Sequence, residues 1–143
     1  MLTSSEKSQL DQGGFLVLEN VITADTTAQL RERALTLAVE EQKAAKSHMY
    51  LPNDRAQRVW NLIDKGKVFE DAIQHPRILA AMKYLLGVDC TLSSFTVNVI
   101  YPGAPDGGLH IDYPLSALPT PRPTFPMVAN SVWLLDDFTL ENG

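Results

Sequence analysis

Cysteine is all but missing from this chain. Cys90 is the only one in 143 residues, so an intrachain disulfide is excluded and a reducing, cytoplasmic setting is the expectation. Long apolar runs are missing too, and no segment reaches transmembrane length. The first twenty residues carry Glu6, Lys7, Asp11 and Glu19 and lack the apolar stretch of a secretory signal. Nor is there a basic stripe. The net charge is -5, and Lys and Arg are interleaved with acids, as in Arg31-Glu32-Arg33 and Glu40-Glu41-Gln42-Lys43. Such mixed runs are solvated helix faces, and the balance argues against nucleic acid or a membrane as partner. Repeats and low-complexity segments are absent. What is present is an ordinary globular composition, 45% hydrophobic and 20% charged, spread over a length suited to one domain.

Helical signals dominate the first ninety residues. Ser5 to Gln12 makes a short helix stopped by Gly13-Gly14, and Phe15 to Leu18 is expected as a brief strand. Thr23 suits the N-cap of a helix from about Ala24 to Ala45, with Leu30, Ala34, Leu37 and Ala38 as its apolar stripe. Ser47 to Arg55, with Pro52-Asn53-Asp54, is expected as a loop. Two more helices follow, Val68 to Gln74 and Pro76 to Leu86, the second opened by Pro76 and stopped by Gly87. Leu79, Met82 and Leu86 are expected on its buried side.

From Thr91 the period changes to two. Phe95, Val97, Val99 and Tyr101 alternate with Ser94, Thr96, Asn98 and Ile100, the pattern of a strand. Val128 to Leu135 and the stretch around His110 are further strand candidates. Between them Pro114, Pro119, Pro121, Pro123 and Pro126 rule out a central strand and predict a long loop. Four strands do not close a jelly roll of about eight. Asn142-Gly143 is a hairpin turn without a returning strand. The expectation is therefore the first part of a larger fold, with open edges that favour association with another chain, a homo-oligomer included.

The chemistry concentrates at Leu109-His110-Ile111-Asp112-Tyr113. Residues i and i+2 of a strand share a face, so His110 and Asp112 can converge on one metal as two arms of the 2-His-1-carboxylate triad of non-haem Fe(II). The plainer alternatives are a half-buried histidine bonded to backbone and a simple loop acid. A Zn site for metal-assisted hydrolysis is a further alternative. His48, in the 47–55 loop, and His75, before Pro76, are the remaining histidines; a loop residue and a helix N-cap or turn residue are their expected roles, with the missing metal ligand as the alternative for each. Lys46, Arg55, Arg58 and Arg122 are expected to be solvent-exposed, with carboxylate binding as the alternative.

The surroundings of this pair resemble one family. Asn98-Val99-Ile100-Tyr101-Pro102-Gly103, then His110-Ile111-Asp112-Tyr113-Pro114, then Ser131-Val132-Trp133-Leu134-Leu135-Asp136-Asp137-Phe138-Thr139-Leu140-Glu141-Asn142-Gly143 look like the phytanoyl-CoA dioxygenase family. Asp11-Gln12-Gly13-Gly14-Phe15-Leu16-Val17 and His75-Pro76…Leu85-Leu86-Gly87 also fit its N-terminal region. The resemblance implies an Fe(II)- and 2-oxoglutarate-dependent dioxygenase that hydroxylates a small organic substrate with O2, releasing succinate and CO2. It implies an α+β fold: N-terminal helices over about residues 1–90, then the first strands of a double-stranded β-helix (jelly-roll, cupin-like) over about 91–143, incomplete as given. His110 and Asp112 would be metal ligands. Asn98, with Thr96 on the same strand face, would help hold 2-oxoglutarate, and Tyr113 and Trp133 would border the substrate pocket; a strand Asn paired with a neighbour and a core Trp are the plainer readings. The family's second metal-binding His and its 2-oxoglutarate-gripping Arg come after the Glu-Asn-Gly block. The alternative function is therefore an inactive chain, or a module whose site another chain completes.

Overall fold

The computed structural model describes residues 1–112 and 114–142. The first helix, α1, spans Ser4–Gly13 and starts at a reciprocal cap. The Thr3 hydroxyl accepts from the Glu6 backbone N–H at 3.2 Å, and the Glu6 carboxylate accepts from the Thr3 N–H at 2.7 Å, which satisfies two of the amides that a helix start leaves unpaired. Gly14 ends it in the left-handed region, at φ 74°. Helix α2, Ala24–Lys43, begins at Thr23, whose hydroxyl accepts from the Thr26 N–H. Its buried residues are Leu30, Ala34, Leu37 and Ala38, the stripe expected from 3.6-residue periodicity.

That stripe meets Val59, Leu62, Phe69 and Ala72 to form the core. Phe69 comes from α3, Lys67–Ile73, and its ring packs edge-on against Phe95 at 6.1 Å. Helix α4, Pro76–Leu86, starts at His75, whose Nδ1 accepts from the Arg77 N–H at 3.3 Å. Its buried residue is Ala81. Of the side expected to be buried, Met82 and Leu86 are half-buried and Leu79 is exposed. Polar side chains tie α4 to α1. Arg77 pairs with Glu6, Tyr84 donates to Asp11 at 2.8 Å, and Lys7 lies over the Tyr84 ring.

Three antiparallel strands form one sheet in the order β1 (His48–Tyr50), β2 (Ala56–Val59), β3 (Val97–Ile100). The register sets His48 opposite Arg58 and Arg58 opposite Asn98. Two of these strands lie in the part expected to be helical. Within the stretch expected as a loop, His48–Tyr50 is a strand. The turn at Pro52–Asp54, with Leu51, Asn53 and Asp54 at positive φ, reverses the chain into β2. β2 itself carries no apolar alternation, and Gln57 is wholly buried in it. Its amide is satisfied instead: Nε2 donates to the Ala38 carbonyl at 3.0 Å, and Oε1 accepts from Gln42 at 2.6 Å and from the Tyr101 hydroxyl at 3.1 Å.

Three expected strands are not strands. Phe15 to Leu18, the stretch around His110 and Val128 to Leu135 have no ladder partner among the described residues, and an unpaired strand leaves its amides without bonds. Their sequence pattern still tells. In the last stretch Trp133 and Leu135 pack on the core while Val132 and Leu134 face out, so burial alternates without sheet pairing. Residues 114–126 form the expected loop, with one short 3-10 turn at Leu115–Ala117. No helix among the described residues is long and apolar enough to cross a membrane.

Two outcomes test this arrangement. Phe69→Ala removes the largest fully buried side chain and is expected to cost about 3–5 kcal/mol in urea unfolding. The second concerns pH. The Thr3 amide and then the Arg77 guanidinium hold the Glu6 carboxyl below its ordinary value. Its contribution is present above the unfolded pKa and is lost as pH falls through the folded one. The Tm difference between wild type and Glu6→Gln is expected to be largest near neutrality and to close on acidification; a constant difference would refute the linkage.

Candidate metal centre

His110 and Asp112 lie in irregular chain rather than on a strand, yet their side chains meet. His110 Nε2 is 3.3 Å from Asp112 Oδ1. The local chain is set by backbone contacts: the Asp112 carbonyl accepts from the Ser116 N–H at 3.1 Å, which hangs the 115–117 turn from it. On its other side His110 Nδ1 is 3.0 Å from the Gly108 carbonyl oxygen. Asp112 Oδ2 accepts from Asn130 Nδ2 at 2.6 Å.

Two potential donor atoms thus face one another. A neutral imidazole carries one N–H, but both ring nitrogens of His110 face oxygen acceptors. A neutral ring leaves one contact between two lone pairs, while a protonated ring donates to both oxygens. A metal ion held by Nε2 and Oδ1 would suit the same geometry, with the ring proton on Nδ1 facing the Gly108 carbonyl. The spacing fits. Donors about 2.1 Å from an ion lie roughly 3.0 Å apart at right angles and about 3.4 Å apart at the tetrahedral angle. The outer contacts also match what metal-bound residues usually have, a carbonyl behind the imidazole and a hydrogen bond on the free carboxylate oxygen. The side chains are 76% and 50% exposed, so as a plain ion pair they would add little stability. Among the described residues no group of three His, Cys, Asp or Glu is placed to hold a metal; the pair supplies two donors.

The other expected site residues are distributed more widely. Asn98 sits on the open face of β3, where its Oδ1 accepts from Arg58 Nε at 2.9 Å. The Arg58 guanidinium in turn lies between the Tyr50 and Trp60 rings, 5.0 and 5.2 Å from their centroids. Arg58 is thus half-buried rather than solvent-exposed, held by stacking and by Asn98 without a carboxylate within 4 Å among the described residues. Thr96 is partly buried just before β3. Trp133 packs against the core, its ring edge-on to His75 at 6.4 Å. His75 is a helix cap, and His48 packs on Tyr50 and Trp60; neither stands at the His110–Asp112 pair. Tyr113 lies outside the described residues. Asn130 was not singled out by the sequence, which carries no mark of an asparagine eighteen positions from its partner.

Comparison with known proteins bears on this pair. The family model described as Phytanoyl-CoA dioxygenase (PhyH) matches residues 10–143. Over 93 residues the chain is 33% identical to a protein named Dioxygenase af480 from Aspergillus fumigatus, a stretch that covers 64% of this chain and 29% of that relative. The chain therefore spans less than a third of that relative's length. No solved structure matches. Since the family match runs from α1 through the sheet, the His110–Asp112 pair and the Trp133 segment, the chain belongs to the phytanoyl-CoA dioxygenase family.

Proposed function

We propose that this chain forms part of a non-haem Fe(II)- and 2-oxoglutarate-dependent dioxygenase, and that its sheet belongs to a jelly-roll barrel. The observation that carries this reading is the 3.3 Å approach of His110 Nε2 to Asp112 Oδ1, with both ring nitrogens facing acceptors. His110 and Asp112 would hold the iron on adjacent positions. Iron held there would supply the O2 chemistry that couples decarboxylation of 2-oxoglutarate, to succinate and CO2, to hydroxylation of a small organic substrate.

The chain's own residues prepare that site. The Gly108 carbonyl, 3.0 Å from Nδ1, would accept the His110 ring proton there and leave Nε2 to the metal. Arg58 holds the oxygen side of the Asn98 amide, which turns the Nδ2 hydrogens outward as donors for a carboxylate of 2-oxoglutarate. The cation between Tyr50 and Trp60 gives the same face a positive field. Thr96 offers a hydroxyl on that side of the strand, and Tyr113 is proposed at the substrate pocket; the substrate itself, O2 apart, is a small molecule.

A second reading rests on the two-donor count: the chain is catalytically silent alone, and another segment or chain supplies the third donor. Anaerobic titration with Fe(II) and 2-oxoglutarate tests both. A visible charge-transfer band is expected only when both are present, and His110→Ala or Asp112→Ala is expected to remove it. A band with no turnover under O2 favours the second reading. Fe(II) binding that neither substitution weakens overturns the assignment of the pair, and Zn(II) binding indifferent to 2-oxoglutarate favours metal-assisted hydrolysis. Asn98→Ala is expected to weaken 2-oxoglutarate binding roughly tenfold, the loss of one hydrogen bond to a charged group, with Fe(II) affinity unchanged.

A further inference from the structure

Asp112 has two carboxylate oxygens with different neighbours. Oδ1 faces His110 Nε2, and Oδ2 accepts the Asn130 amide at 2.6 Å. From this juxtaposition we infer that Asn130 is a positioning residue of the metal centre: it occupies Oδ2, so that Asp112 offers the metal one oxygen and no more. The inference rests on the metal reading of the pair.

The physical case is one of geometry and charge. An unrestrained carboxylate can swing to chelate through both oxygens, which would use a coordination position that a co-substrate needs. A short amide N–H bond to Oδ2 fixes the rotation of the carboxylate about its last bond. It does so without adding a competing charge, because an amide donor is neutral. Asn130 has one described side-chain hydrogen bond, this one, and is itself exposed, so packing does not account for its placement. Its position in the chain supports the same role. It immediately precedes Ser131 to Leu135, where Trp133 and Leu135 are seated on the core and Asp136 is bonded to Arg31 of α2 at 2.6 Å. Asn130 is thereby attached to the rigid part of the fold, and it ties the solvent-exposed 108–112 segment to that part. Outer-sphere hydrogen bonds of this kind are typically worth roughly 10–100-fold in metal affinity.

The test uses the whole chain and needs no turnover. In the metal-free protein the Asn130 side-chain NH2 signals in a 1H–15N spectrum are expected to shift on Asp112→Ala. With 2-oxoglutarate present, Co(II) titration is expected to show roughly 10–100-fold weaker binding for Asn130→Ala. Its Co(II) ligand-field spectrum is expected to change, since the carboxylate can then bind through both oxygens. The melting temperature should stay the same, and Asn130→Ser, which keeps a donor, should recover part of the affinity. Wild-type affinity and spectrum in Asn130→Ala, while His110→Ala abolishes binding, would overturn the inference and leave the metal reading standing. No Co(II) binding by the wild type overturns both.

Discussion

Gln57 stands in the centre strand with no solvent exposure, and its amide is bonded to the Ala38 carbonyl, to Gln42 and to Tyr101. A buried amide without partners would cost several kcal/mol, so this network permits only one seating of β2 against α2 and against the end of β3. Everything on the sheet's open face follows from that seating. With Gln57 inward, its neighbour Arg58 is turned outward, and the antiparallel register then sets Arg58 between His48 and Asn98. A shift of one residue would put the guanidinium into the core, where a charge without a partner is not tolerated.

The rest of the chain divides by how it is held. The α2 stripe, Val59, Leu62 and Phe69 form the apolar core, and burying each of its Leu, Val and Phe side chains contributes about 1.5–3 kcal/mol. The α1–α4 contact is largely polar and peripheral. The 108–112 segment is fixed by hydrogen bonds. It is held by the Gly108 and Asp112 carbonyls and by Asn130, which leaves His110 and Asp112 open to solvent.

Membership of the phytanoyl-CoA dioxygenase family gives that pair a chemical context, while the open face of the sheet carries the Arg58 cation and the Asn98 amide. The two regions are built by different means, one by irregular backbone and the other by strand register. Their separate construction lets the metal pair and the Asn98–Arg58 pair be perturbed independently.

By itself the sequence determined the features that depend on neighbours along the chain. Helix boundaries at Thr23, His75-Pro76 and Gly14 were legible because caps act within one turn. The α2 stripe was legible because helical periodicity needs no partner, and the His-x-Asp spacing because two residues suffice to state it. Pairing was decided by the tertiary structure. Ala56–Val59 is a strand because β1 and β3 flank it, and Phe15–Leu18 is not, since nothing bonds to it among the described residues. The bonds from Asn130 to Asp112 and from Arg58 to Asn98 join residues eighteen and forty positions apart. No local pattern encodes such contacts, because their energy exists only once the chain has brought both partners to one place.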